Sequence, residues 1–451
     1  MRSDTDEGYR PALGNRQVQM IAIGGAIGVG LFLGAGGRLA ATGPGLILSY
    51  AVSGVAAFFV MRALGELVLH RPASGSFVVY AHEFIGPWAA FASGWMYWIN
   101  WAFTGIAELT AIAVYVHYWA PGFPQWLTAL IALGFVLTVN LLSVRLFGEL
   151  EFWFAMLKVL AIVAFLVAGL VLVILSVDGA GPRNLTAHGG FFPQGFPMVL
   201  MSLQSVVFAY ASIELVGITA GETARPREVM PKAIRGVTWR IAIFYVGSVL
   251  LLAMVLPWTA YQAGVSPFVT VFAGLGVPWA ADAMNLVVIT AALSSCNSGL
   301  YATGRILRSM ARNGEAPGFA GTLSSRHVPI GGILFTAVMF VAGVVMFYFV
   351  PERAFNIATA VASLGVITTW ATLVYCQIRL RATGHRSAFP MPGSPYTGWA
   401  TLAFLALVVL LMPFADADQR IAFCLLPLLA AAIAAGWRTI SGRRSPARAG
   451  D

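Results

Sequence analysis

Two acids and one amine sit in stretches of sequence that otherwise exclude charge. Glu108 lies within WAFTGIAELTAIAVY, Glu214 within FAYASIE, and Lys158, one of only two lysines, within EFWFAMLKVLAIVAFLV. An ionisable side chain in so apolar a run is costly unless it faces protein or a water-filled cavity, so each is a functional candidate by default. Carboxyl and amino groups in such a place can take up and release a proton, and Glu214, Glu108 and Lys158 are the candidates for that chemistry. Lys158 has a second reading. It stands some six residues into its run, about 9 Å along a helix, from where its stem can snorkel to the interface. Thr104 is four residues before Glu108 and shares its helical face. Together they form a stripe that can hydrogen-bond a polar ligand group such as a carboxamide NH2, unless Glu108 is simply a protonated and satisfied core acid.

A second kind of chemistry needs no side chain. The run Gly24-Gly25-Ala26-Ile27-Gly28-Val29-Gly30 has four glycines in seven residues, each about 1 kcal/mol worse than alanine in a helix. Such a segment can unwind, and the N–H groups at the start of the next half-helix then favour an anion such as a carboxylate. Close packing of small residues against a neighbouring helix is the competing explanation. Phe208 to Glu214, followed by Gly217, Gly221 and Glu222, is the other interrupted stretch. Ser294, Ser295, Asn297 and Ser298 add a polar face that can line an ion site or serve as packing glue, and Ser363 is a further pocket candidate.

The elements that must position these groups follow from composition. Of 451 residues, 59% are apolar and 10% charged, against about 25% charged in soluble domains. That composition excludes an ordinary soluble enzyme and implies an all-α membrane protein. Apolar runs fall at 17–35, 44–64, 89–117, 125–142, 152–176, 196–220, 239–257, 283–302, 331–349, 355–377, 398–414 and 419–438. They are numbered here as spans 1 to 12, the last two also reading as one interrupted hairpin. Polar tails of 1–16 and 439–451 flank a transmembrane domain of 17–438. The positive-inside rule places both tails in the cytoplasm. With the amino end inside, 23 of the 27 Lys and Arg fall on that side, leaving Arg38, Arg183, Arg353 and Arg420 on the other. The net charge of +9 is therefore a topology signal, not a nucleic-acid footprint. The three cysteines, Cys296, Cys376 and Cys424, are read as buried packing residues, and the six histidines show no metal spacing. No metal or cofactor is expected. Spans 1 and 6, both interrupted, are five apart, which is the spacing of two inverted five-helix repeats, helices 1–5 and 6–10, followed by two C-terminal helices. A membrane-embedded enzyme would need an interfacial nucleophile or metal cluster, and a channel a repeated pore ring; neither pattern is present.

Four blocks, GNRQVQMIAIGGAIGVGLFLGAG, GELVLHRPASGSFVVYAHEFIGPWAAFASGWMYW, FAYASIELVGITAGETARP and TAALSSCNSGLYATGRILRSMARNGEAP, resemble the bacterial amino-acid transporter family of the amino acid–polyamine–organocation superfamily. The resemblance runs from about residue 12 to 440. It implies a multi-pass protein of the bacterial inner membrane that imports an amino acid by alternating access, with protons as the coupling ion. It puts the substrate carboxylate on the amides of Gly28, Val29 and Gly30, beside Ile27. The ammonium goes to the carbonyls of Ala26, Phe208 and Ala211, beside Ser212, with Phe208 as an aromatic gate. Lys158 is expected to point between spans 1 and 8 in place of a sodium ion. Within the family, EFWFAMLKVLAIVAFLV, GGFFPQG, LPWTAYQAGVSPFVTVF and WRIAIFYVGSVLLL are most similar to members that carry L-asparagine. Other neutral amino acids (D-serine, D-alanine, glycine), aromatic amino acids and γ-aminobutyrate remain open as substrates.

Overall fold

A computed structural model describes residue 20 and residues 27–73, 76–142, 144–215, 217, 226–274 and 278–444. Among the described residues the regular structure is helical throughout, and ten helices are long and apolar enough to cross a membrane. The first of these, Gly34–His70, is two pieces: the second half of span 1, Gly34–Thr42, and span 2, Leu46–His70, separated by a turn at Gly43–Gly45. Gly43 takes φ +73° there, a conformation that favours glycine. Span 6 is not among these ten, because its helix breaks off at Ala209, and span 1 before Ile27 lies, apart from residue 20, outside the described residues.

The remaining spans are Pro87–His117, Gln125–Leu142, Val144–Leu175, Pro278–Arg312, Ile330–Phe349, Pro351–Ala382, Tyr396–Leu411 and Ala417–Arg444, with span 7 running from Pro226–Arg240 through a π-helical segment, Ile241–Gly247, into Ser248–Val255. Several outrun their apolar segments because helix continues into polar ends. Span 8 carries Arg305, Arg308 and Arg312 in its last turns. Spans 11 and 12 are two helices: Asp416 Oδ1 accepts the N–H groups of Asp418 (2.9 Å) and Gln419 (2.8 Å), capping span 12.

The order of elements repeats. An interrupted span and a long span lead to a short helix, Ser76–Phe84 in the first half and Pro267–Gly274 in the second. Next come helices of 31, 18 and 32 residues in the first half and 35, 20 and 32 in the second. Span 3 packs on span 10 and span 8 on span 5, so the third member of each half meets the fifth of the other. Five crossings is an odd number, so the second half starts from the opposite face of the membrane and the repeat is inverted. Spans 3 and 10 meet at backbone distance, since a Cβ on Gly365 would stand 2.5 Å from Asn100 Cβ and 2.6 Å from Met96 O. Span 12 lies on the periphery. Cys424 on it is exposed, which corrects the expectation that all three cysteines are buried; Cys296 and Cys376 are.

Candidate functional site

In span 1, Ile27 and Gly28 are outside any helix, with Gly28 extended at φ −123°, ψ −170°, and the helix begins at Val29. Its first bonds run from the N–H groups of Leu31 (3.3 Å) and Phe32 (3.4 Å) to Gly28 O. The N–H groups of Gly28, Val29 and Gly30 therefore precede the intrahelical ladder. Ala26, Gly24, Gly25, Gly221 and Glu222 lie outside the described residues. In span 6 the helix Leu203–Ala209 gives way to turns at Tyr210–Glu214. Ser212 there takes φ +74°, rare for a residue with a Cβ. The Phe208 carbonyl accepts the Ala211 N–H at 3.0 Å. The two interruptions face each other: a Cβ on Gly30 would stand 2.7 Å from Ala209 Cα and 3.2 Å from Phe208 Cδ1.

Glu108 is buried and faces the backbone N–H of Val29 and the Ser295 hydroxyl, with Lys158 also in its field. Its Oε1 lies 3.1 Å from where a Cβ on Gly28 would be, and its Oε2 is buried without a partner. The acid thus stands at the head of the half-helix, where the resemblance implies the substrate carboxylate. Thr104 is buried on the same helix as Glu108, and its hydroxyl donates to Asn100 Oδ1 at 3.2 Å.

Lys158 is fully buried and does not snorkel. Its Nζ donates to Ser294 Oγ at 2.9 Å, and Ser294 in turn donates to Glu151 Oε1 at 2.5 Å. Glu151 was not among the expected site residues, although it stands seven residues before Lys158, two turns back on the same face. The charge tally placed Lys158 among cytoplasmic loop residues; it belongs to the bundle, and the bias survives without it. Ser295 lies by Glu108, while Asn297 Oδ1 accepts from Asn140 Nδ2 at 2.8 Å. Asn297 and Ser298 are buried and face the Glu151 carboxyl. Glu214 is also fully buried at the span 6 interruption, accepts the Trp370 indole N–H at 3.3 Å, and keeps Oε1 unpartnered.

A cavity of ≈ 500 Å³ opens on the side of the Gly43–Gly45 turn. It reaches Gly34, Gln204 and Ser205, about one turn nearer that end than Gly30 and Phe208, and Thr110, two residues or about 3 Å from Glu108 along span 3. Ser363 is not in its wall; the Ser363 hydroxyl donates to Ala360 O at 2.8 Å and accepts from Gln204, whose side chain does line the cavity. Arg38, expected in an outer loop, belongs to the Gly34–Thr42 helix, lines the cavity, and donates to Gly30 O at 3.1 Å. Neither Gln204 nor Arg38 was legible as a site residue, since each looks like an ordinary helix position until the helices are packed.

The chain matches the amino acid permease family over residues 17–440. It is 55% identical over 443 residues to the L-asparagine permease of Escherichia coli K12, covering 96% of this chain and 89% of that protein. It is 53% identical over 443 residues to the L-asparagine permease of Streptomyces coelicolor (96% and 91%). With L-asparagine permease 1 of Mycobacterium tuberculosis H37Rv it shares 52% over 449 residues (97% and 92%). A helical membrane bundle with two interrupted spans facing each other, matched over nearly its whole length, is a transporter and not an enzyme: the chain belongs to the amino acid permease family.

Proposed function

We propose that this permease imports L-asparagine together with a proton across a bacterial inner membrane by alternating access, with both termini in the cytoplasm. The relatives' names support the substrate, and the distribution of Lys and Arg supports the orientation, in which the cavity faces the periplasm. The observation that carries the coupling is the Glu108 carboxylate facing the Val29 N–H at the head of the span 1 half-helix.

A zwitterion entering a dry site needs a partner for each pole. Its carboxylate is served by the N–H groups of Gly28, Val29 and Gly30, and its ammonium by the carbonyls of Ala26, Phe208 and Ala211, with Ile27 and Ser212 beside them. An ionised Glu108 already uses the anion position. Two carboxylates in one low-dielectric site repel strongly, so substrate binds when Glu108 carries a proton. One proton then accompanies each amino acid. The neutral acid keeps a carbonyl oxygen that accepts from the asparagine carboxamide. Lys158 stands behind the site as a second proton-carrying group, in the field of Glu108. Glu214, set at the span 6 interruption, biases that element between two arrangements as its own charge changes.

Uptake of labelled L-asparagine into proteoliposomes tests both halves. Accumulation is expected under an inward proton gradient, with unlabelled L-asparagine the strongest competitor in a full amino-acid panel. Stronger competition by D-serine, glycine, an aromatic amino acid or γ-aminobutyrate reassigns the substrate. Accumulation that follows a sodium gradient and ignores pH ends the proton assignment.

A further inference from the structure

Lys158, Ser294 and Glu151 form one directional chain, all fully buried. A lysine ammonium only donates, so the 2.9 Å contact is Nζ–H to Ser294 Oγ, which leaves the single hydroxyl proton of Ser294 for Glu151 Oε1 at 2.5 Å. The second distance is in the short range of charge-assisted O–H···O⁻ bonds. The groups facing Glu151 are Lys158 on its own helix and Ser294, Asn297 and Ser298 of span 8, and Lys158 also feels Glu108 of span 3. One cation and two acids therefore share a buried site, which is electrically neutral only when one additional proton is present.

Position along the helix gives the chain a direction. Glu151 is seven residues nearer than Lys158 to the start of span 5, about 10 Å toward the face opposite the cavity. Around the carboxyl the surroundings are polar as well: Asn297 and Ser298 of span 8 face Glu151 and are buried with it. A polar lane thus runs from Glu108, at the substrate position, through Lys158 and Ser294 to Glu151.

We propose that Glu151 is the inner station of the proton path, receiving from Lys158, by way of the Ser294 hydroxyl, the proton that enters with substrate. In the transfer an Nζ–H bond of Lys158 breaks as a Ser294 O–H forms, while the original Ser294 proton bonds to Glu151 Oε1. Ser294 ends as a neutral hydroxyl, the ammonium becomes an amine and the carboxylate an acid. The hydrogen bonds then reverse, with Glu151 donating to Ser294 and Ser294 to the Lys158 nitrogen. A proton arriving on Glu108 removes the second negative charge next to Lys158 and so favours this exchange. Glu151 releases the proton on the face opposite the cavity, and Lys158 recovers one from Glu108.

The inference rests on the proton-symport reading, and the test separates the two. Wild-type protein, Glu151→Gln, Ser294→Ala and Ser294→Thr are reconstituted with an internal pH dye. Asparagine exchange between equal pools and accumulation driven by a proton gradient are measured for each. The expected result is that Glu151→Gln and Ser294→Ala lose at least tenfold in accumulation relative to exchange, with proton entry falling in parallel, and that Ser294→Thr restores both. Unchanged accumulation in Glu151→Gln overturns the proposal. So does an equal loss of exchange and accumulation in both Glu151→Gln and Ser294→Ala, which marks a structural role. Wild-type protein that accumulates asparagine without moving protons overturns the symport reading itself.

Discussion

Replacing Gly30 with alanine probes the place where spans 1 and 6 touch. The added methyl would stand 2.7 Å from Ala209 Cα, 3.2 Å from Phe208 Cδ1 and 3.3 Å from Ala209 Cβ. Carbon atoms rest at about 3.5–4.0 Å, so the two interruptions must separate by roughly 0.8 Å or more. The nearest obstacle is backbone, which no rotamer change relieves. Overpacking of this kind costs about 1–3 kcal/mol. The strain falls on the conformation in which the two spans are in contact, and 2 kcal/mol lowers its population by about 30-fold. Turnover in proteoliposomes at saturating asparagine is therefore expected to fall by about 10–100-fold. Gly34→Ala is the comparison, because the atom met there, Arg38 Nη2 at 2.9 Å, is the end of a flexible side chain that can move aside. Its turnover is expected to stay within about threefold of wild type. Wild-type turnover in Gly30→Ala, or an equal loss in both variants, would refute the argument that backbone contact between the interruptions is part of the transport cycle.

Glu108→Gln removes the titrating group at the head of the half-helix. Wild-type uptake is expected to weaken as external pH rises and Glu108 loses its proton, whereas the variant should give a flat profile; an unchanged profile would remove Glu108 from coupling. Thr104→Val is expected to leave the asparagine KM within about twofold and to cost about 1 kcal/mol of stability from the lost bond to Asn100; a tenfold rise in KM would return Thr104 to the substrate. Glu66 is fully buried and holds Arg381 through two 2.8 Å bonds, with Gln377 Nε2 at 3.1 Å and the Met391 N–H as further donors. Glu66→Gln should destabilise the fold by about 3–5 kcal/mol, read as earlier thermal unfolding in detergent. Cys296 and Cys376, buried in the bundle, should resist a membrane-permeant maleimide in the folded protein and react once it is unfolded.

The sequence by itself determined the membrane class, the number of spans, and the two places where helix fails. These follow from local quantities: the length of apolar runs, the helix cost of glycine, and the exclusion of charge from hydrocarbon. For the same reason Glu108, Lys158 and Glu214 stood out, since an ionisable group in an apolar run is visible without knowing its neighbours. What those groups face was decided only by the tertiary structure. Spacing put Thr104 and Glu108 on one face, but only packing set Glu108 against the head of span 1. Spacing left Lys158 between interface and interior, and contact with span 8 buried it on Ser294 and Glu151. Arg38 passed for a loop charge until the Gly34–Thr42 helix carried it into the cavity. Hydrogen-bond partners in this bundle come from residues up to a few hundred positions apart, as with Glu66 and Arg381, and no local pattern encodes which helices will meet.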